Sequence, residues 1–281
     1  MDKRRGLTRT EVVVIASVAF VICIVLLMFS TLSNEYPHPH TPTDYCLSNL
    51  KQLSLAWLMY ADDNDGKFVN GMAGIDRQKD SVVIEKAWTG KDWADDYRQG
   101  GTLDPKKQEE AIKDGALWPY VKNIKAYRCP KSMPENIRSY SIVDALNGVP
   151  QPSNPMGRGP TEVMDKLIAK GRRQLQRPHM RVAFICVGWA SPGSYAVYYD
   201  KEKWWDLPSV RHSNMVAVSF ADCYSEYWKW KGKETIELGK SAGPTQISQH
   251  VEPKTVEGKE DLQKMQRAVW GELGYTPSVS E

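Results

Sequence analysis

The sequence predicts an α+β protein carried on a membrane helix, and three stretches predict it. From Val12 to Leu32 the chain is apolar, interrupted only by Ser17, Ser30 and Thr31, and carries no charge. From Asp44 to Tyr60, Cys46, Leu50, Leu53, Trp57 and Tyr60 recur at steps of four and three, which is one apolar stripe of a helix. From Met215 to Ala221 the chain alternates, Val216, Val218 and Phe220 with the small Ala217, Ser219 and Ala221, then Asp222-Cys223-Tyr224-Ser225 turns, and Glu226 to Lys231 returns with aromatics. That last pattern is a β-hairpin. Helices and a hairpin in separate blocks argue for helices packed on an antiparallel sheet.

An uncharged apolar run of 18 or more residues can cross a bilayer with its backbone hydrogen bonds made internally. At about 1.5 Å per residue, Val12 to Leu32 spans roughly the 30 Å of a hydrocarbon core. Lys3, Arg4 and Arg5 precede it, so the N-terminus is expected in the cytoplasm and everything beyond the span outside it. A cleaved secretory signal fits poorly, because Phe29-Ser30-Thr31-Leu32-Ser33-Asn34 is a weak cleavage site. Cys23 is not a convincing lipoprotein cysteine, since Ile22 precedes it. A plain signal anchor would leave Glu11 as an interfacial charge. The alternative reads Gly6 and Glu11 together: a glycine closes the basic leader, and a carboxylate waits five residues later at the mouth of the apolar run.

Pro37, Pro39 and Pro42 should break the helix after the span, because proline lacks the donor and disfavours helix in the residue before it. His38 and His40 lie in this linker without a third ligand nearby and are expected to be solvated. Thr43 or Asp44 can cap the second helix. Asp62-Asp63-Asn64-Asp65-Gly66 ends it, with Gly66 as a left-handed cap. The acid cluster is not an EF-hand loop: counting back from Gly66 puts Ala61 at position one, and Met72 falls where the glutamate belongs. A looser calcium loop competes there with a solvated helix end.

Residues 70–101 read as loops with a short strand at Val82-Val83-Ile84. Asp104-Pro105 starts a helix that stops by Gly115, and a short turn or helix follows over Ala116 to Val121. Residues 151–160 form a proline-rich loop, and Thr161 to Gln176 has helical spacing with Arg172 and Arg173 exposed. Val182 to Val187 and Tyr195 to Tyr199 are strand-like, and Glu257 to Glu272 is an amphipathic helix.

The chain has 281 residues, and about 250 remain beyond the span, enough for one large domain or two small ones. Apolar content of 41% and charged content of 25% suit a folded domain rather than a disordered one. A net charge of +3 with scattered basic residues does not imply nucleic acid. No Gly-rich phosphate loop, serine elbow or paired-cysteine metal knuckle is present, so no enzyme activity, cofactor or metal is expected. Trp204, Trp205, Trp228 and Trp230 could offer a carbohydrate platform, but beside strands they are expected to pack in the core or on a sheet face.

Arg5-Gly6-Leu7-Thr8-Arg9-Thr10-Glu11, followed by Val12-Val13-Val14-Ile15, resembles the N-terminal processing signal of type IV prepilins and type II secretion pseudopilins. The resemblance implies cleavage by a prepilin peptidase between Gly6 and Leu7, methylation of Leu7 as the new N-terminus, and pairing of Glu11 with the terminal amine of a neighbouring subunit. Leu7 stands where phenylalanine is usual, and Arg9 where many pilins are apolar. Arg211-His212 followed by nine residues and Asp222 resembles the His-x9-Asp-Gly element of a pseudopilin-like subfamily. Asn49-Leu50-Lys51-Gln52 with Met59-Tyr60-Ala61-Asp62, and Asp114-Gly115-Ala116-Leu117-Trp118-Pro119-Tyr120 with Arg128-Cys129-Pro130, are similar to the same subfamily.

The expected organisation is then a cytoplasmic leader over 1–6, a membrane and assembly helix over 7–33, a Pro-rich linker over 34–43 and an extracytoplasmic pilin-like domain over 44–281. The expected partners are like subunits, prepilin peptidase, the secretion or pilus assembly platform and the membrane. The competing expectation is a membrane-anchored extracytoplasmic binding protein for a glycan or peptide that forms no filament. His212 and Asp222 lie at the two ends of a strand, roughly 30 Å apart if the chain between is straight. They can meet only if His212 sits in a loop that folds back, and a contact of His212 with Asp222 that orders the hairpin, structural rather than catalytic, is the expected role. Cys223 stands where the family has glycine, so either the turn is not type I′ or Cys223 has a compensating bond. In an oxidising compartment Cys46, Cys129, Cys186 and Cys223 allow three pairings. The resemblance favours Cys46 with Cys129, and free buried cysteines are the alternative.

Overall fold

The computed structural model describes residues 42–148, 166–243 and 250–279. Gly6, Leu7, Glu11, the apolar run and both linker histidines lie outside the described residues. Among the described residues no helix is long and apolar enough to cross a membrane.

Helix α1 spans Pro42–Asp63. It begins two residues earlier than the sequence suggests, because a proline at the first helical position gives up no hydrogen bond that the helix would make. Cys46, Leu50, Leu53, Trp57 and Ala61 are fully buried along one face, while Lys51, Leu55 and Met59 are exposed. The helix ends as its sequence requires. Asp65 and Gly66 are both left-handed, and the Gly66 amide donates to the Ala61 carbonyl at 2.8 Å.

The buried face of α1 lies on a four-stranded antiparallel sheet of order β3-β4-β5-β6, with β3 at Tyr140–Ile142, β4 at Val182–Cys186, β5 at Met215–Phe220 and β6 at Ser225–Lys229. The observed class is α+β: a helix on an antiparallel sheet. Every residue of β4 is buried, so both faces of the sheet centre are covered. Ser54 of α1 meets Ser219 of β5 through their hydroxyls at 2.6 Å, which satisfies two polar groups inside this interface. Trp57 stacks on Phe68 at 4.0 Å.

A small hairpin, β1 at Arg77–Lys79 and β2 at Val82–Glu85, stands apart from the sheet. Helix α2 at Pro105–Asp114 starts as its sequence predicts, with the Asp104 carboxylate accepting from the Lys106 amide at 2.9 Å. Short α3 covers Trp118–Val121. Helix α4 at Lys233–Ser241 has no counterpart in the sequence reading. Helix α5 at Val256–Trp270 is capped by Thr255 and closed by left-handed Gly271.

Two expected elements differ. Tyr195 to Tyr199 is not a ladder strand but makes isolated bridges, Tyr195 with Val143 and Val197 with Trp204. The helix expected through Gln176 ends before Ile168: Ala169 bridges Leu146 and Gly171 bridges Lys67. A side chain at Gly171 would meet the Gly66 carbonyl at 2.7 Å, so close backbone contact decides the path there, not periodicity. Of the four tryptophans weighed as a platform, Trp204, Trp228 and Trp230 are buried and Trp205 is half-buried.

Candidate functional site

Four chemistry-bearing side chains from four separate segments meet beneath the start of α1. Cys46 comes from the first turns of α1, Cys129 from the segment after the 3-10 turn Ile124–Tyr127, Cys186 from the end of β4, and His212 from the turn before β5. One donor atom from each lies within 4.8 Å of all the others, and all four residues are buried. His212 Nε2 is 3.3 Å from Cys129 Sγ.

Local backbone chemistry places each of them. Cys186 pairs across the sheet with Tyr140 of β3, so both side chains leave the same face, the one that α1 covers. His212 and Met215 exchange backbone hydrogen bonds across Ser213 and Asn214, both left-handed, which is a two-residue turn of the I′ kind. Cys129-Pro130-Lys131 turns back so that the Lys131 amide donates to Cys129 Sγ at 3.3 Å. The Cys129 amide itself donates to Ser139 Oγ at 2.6 Å.

A polar shell surrounds the four. Tyr140 donates its hydroxyl to Cys46 Sγ at 3.4 Å. Asn49, one turn along α1 from Cys46, donates to the carbonyls of Lys125 and Arg128 at 3.1 and 2.8 Å, and so fastens the helix to the segment that carries Cys129. Gln52 accepts from Asn123 at 3.1 Å in the same seam. The Tyr227 ring lies 4.9 Å from the His212 ring. Arg211 lies over Gly188, where any side chain would collide with its guanidinium, and donates to the Val187 carbonyl.

The electrostatics follow from crowding ionisable sulfur into a dry space. Burial pushes the Cys46 thiol far above its ordinary range. The Cys186 thiol rises too, first because it donates to Cys129 and then because it is buried. Cys129 goes the other way: hydrogen bonds from Cys186 and Cys46, with His212 alongside, hold it well below the ordinary thiol value against its own burial. Burial lowers the Arg211 guanidinium, and the charges of Cys186 and Cys129 oppose that shift. Three thiolates packed this closely repel strongly in low dielectric, so any state with all three ionised needs a cation among them.

The expected pairing of Cys46 with Cys129 takes a different form here. Both are free, as are Cys186 and Cys223. The two do come together, but as half of a cluster that also holds Cys186 and His212.

The expected contact of His212 with Asp222 is not present. The His212 ring turns inward to Cys129, while Asp222 is exposed and accepts from the Tyr224 amide at 3.1 Å. Strand β5 separates them, and the fold-back of His212 is a tight turn that leads under α1 rather than along the hairpin. Asp222 thus orders the hairpin turn alone.

That turn is a three-residue loop, not type I′: the Cys223 amide donates to Phe220 O, the Phe220 amide donates to Tyr224 O, and Cys223 is left-handed at φ 71°. Cys223 occupies the glycine position with no compensating disulfide.

Cys186 and the assembly of the four were not anticipated from sequence. The motifs singled out there, Asn49 with Gln52, Arg128 with Cys129, and His212, do converge on this one place. No protein-family model matches the chain, and no curated protein or solved structure matches it either.

Proposed function

We propose that the chain is a pseudopilin-like structural subunit of a type II secretion or type IV pilus-like assembly. The observation that carries this is the order Gly6, Leu7, Glu11 and then the charge-free run Val12 to Leu32. An acid at the mouth of an apolar helix is costly unless a partner neutralises it, and in a bundle of like helices the free amine at Leu7 of a neighbour supplies that partner. The α+β head, with α1 laid on an antiparallel sheet, agrees with this reading. In it, prepilin peptidase removes residues 1–6, the helices of processed subunits pack against one another at the inner membrane, and the assembly platform moves them. The head, outside the cytoplasm, meets other components of the assembly. The role is mechanical rather than catalytic.

Crosslinking tests the packing. Single cysteines placed along Val12 to Leu32, in a Cys23→Ser background, should crosslink between subunits in a helical pattern, and Glu11→Ala should abolish the pattern. Crosslinks that are absent, or indifferent to Glu11, refute the reading and favour an anchored binding protein that forms no filament.

A further inference from the structure

We propose that Cys46, Cys129, Cys186 and His212 bind one zinc(II) ion in a closed, four-coordinate structural site that staples α1 to the sheet. The inference stands on the described domain and is independent of the assembly role of the N-terminal helix.

Geometry comes first. Zinc binds cysteine sulfur at about 2.3 Å and histidine nitrogen at about 2.0–2.1 Å in a tetrahedron, which puts the donors roughly 3.5–3.8 Å apart. The four donors already lie within 4.8 Å of one another, and the Cys129–His212 pair is at 3.3 Å. Adjustments of about 1 Å or less, within reach of side-chain rotation, complete the site. A disulfide is a poorer account of the same cluster: it joins two sulfurs and leaves a third sulfur and the imidazole buried beside it.

The surroundings fit thiolates. The Lys131 amide and the Tyr140 hydroxyl both point donors at sulfur, the usual support for a metal-bound thiolate. Three thiolates and a neutral imidazole around a dication carry a net charge of −1, and the Arg211 guanidinium, next in sequence to His212, lies over Gly188, two residues beyond Cys186. His212 Nε2 faces the sulfurs and the Tyr227 ring packs 4.9 Å from the imidazole, while Nδ1 is buried without a hydrogen-bond partner.

The donor set selects the ion. Three sulfurs and one nitrogen at a single point suit a borderline-soft tetrahedral cation, not calcium or magnesium, which take oxygen. Four protein ligands, all buried, leave no open position, so the site is structural rather than catalytic. On binding, the three thiols release their protons and the imidazole binds neutral, so zinc enters as Zn²⁺ and up to three protons leave. The mechanical consequence follows from the chain. α1 is the element that continues from the linker, and the ion would join its first turns to β4, to the Cys129 segment and to the turn before β5.

The test uses the full chain in detergent, reduced and metal-stripped, titrated with Co²⁺ as a spectroscopic stand-in. Expected are the visible bands of a tetrahedral cobalt–thiolate centre, saturating at one Co²⁺ per chain and displaced by Zn²⁺. Cys223→Ser, outside the cluster, should keep that stoichiometry, while Cys129→Ser and His212→Ala should lose or weaken the bands. Zinc content of protein purified without chelator should likewise be one per chain. If a variant fails to fold, the wild-type titration alone decides. Absence of tetrahedral bands with all thiols reduced, or protein extracted with thiol-blocking reagent that carries a disulfide among Cys46, Cys129 and Cys186, overturns the proposal.

Discussion

Asp92 and Arg138 form an ion pair with no solvent exposure on either side chain. Both carboxylate oxygens are engaged, accepting from Nε at 2.7 Å and from Nη2 at 3.0 Å. Arg138 puts two further donors on the carbonyls of Tyr140 and Ser191, at 2.9 and 2.7 Å. It thereby holds the start of β3 and the chain after β4, and its guanidinium sits 5.6 Å from the Trp88 ring. Asp92→Ala would leave that guanidinium charged, buried and unopposed. Removing one partner of a buried pair costs about 3–5 kcal/mol. With a urea m-value of about 2–3 kcal/mol/M for a unit of this size, the unfolding midpoint should fall by about 1–2.5 M.

Adding Arg138→Met removes the stranded charge but leaves two carbonyls short of donors, at about 1–3 kcal/mol each. The double variant should therefore be far more stable than the sum of the singles predicts, with a coupling energy of at least ~2 kcal/mol. Tryptophan fluorescence is the assay, because all ten tryptophans fall at or beyond Trp57 and report on the folded head. An Asp92→Ala variant within about 1 kcal/mol of wild type, or coupling near zero, would refute the reasoning.

Two further predictions concern the hairpin turn and acid. At Cys223 the left-handed backbone costs a side chain roughly 1 kcal/mol or more that glycine escapes, so Cys223→Gly should be more stable than Cys223→Ala by about that amount; equal stabilities by urea titration would show that the turn is unstrained. Glu234 is pushed up by its partial burial, but hydrogen bonds from the Thr255 and Lys254 amides and the Thr255 hydroxyl outweigh that and hold its carboxyl below the ordinary value of 4.5. A lowered folded value means stabilisation that is present above pH 4.5 and lost as the pH falls through the folded value. The stability gap between wild type and Glu234→Gln should be widest near neutral pH and close below pH 4.5; a gap independent of pH contradicts the assignment.

Local patterns were legible in this sequence wherever one face of an element meets the core. Cys46, Leu50, Leu53 and Trp57 announce α1 because burial selects every third or fourth residue. Leu262, Met265 and Val269 do the same for α5. The β5–β6 hairpin is legible from its alternation and turn. What stayed hidden depends on distant partners. β3 is three residues long and exists only because Tyr140 to Ile142 pair with Phe184 to Cys186. Tyr195 to Tyr199 has strand composition, but its neighbours Val143 and Trp204 offer single bridges instead of a ladder.

The cysteine–histidine cluster is the extreme case. Cys129 and His212 are 83 residues apart, and no C-x-x-C spacing links any of the four residues. The signal that was available is parity and periodicity: Cys46 lies on the apolar stripe of α1, and Cys186 closes a fully buried strand, so both thiols had to point inward. Pairing the cysteines only with each other, as disulfide arithmetic does, left His212 out and assigned it to Asp222.

The membrane-side half of the account rests on Gly6, Leu7 and Glu11, and one measurement tests it most directly: the intact mass and N-terminal sequence of the chain recovered from membranes of cells with an active prepilin peptidase. The account predicts a chain that begins at Leu7 and carries one added methyl group on its amine, and a Gly6→Trp variant that keeps residues 1–6. A wild-type chain that retains Met1 to Gly6, or one cut near Ser33, would contradict it.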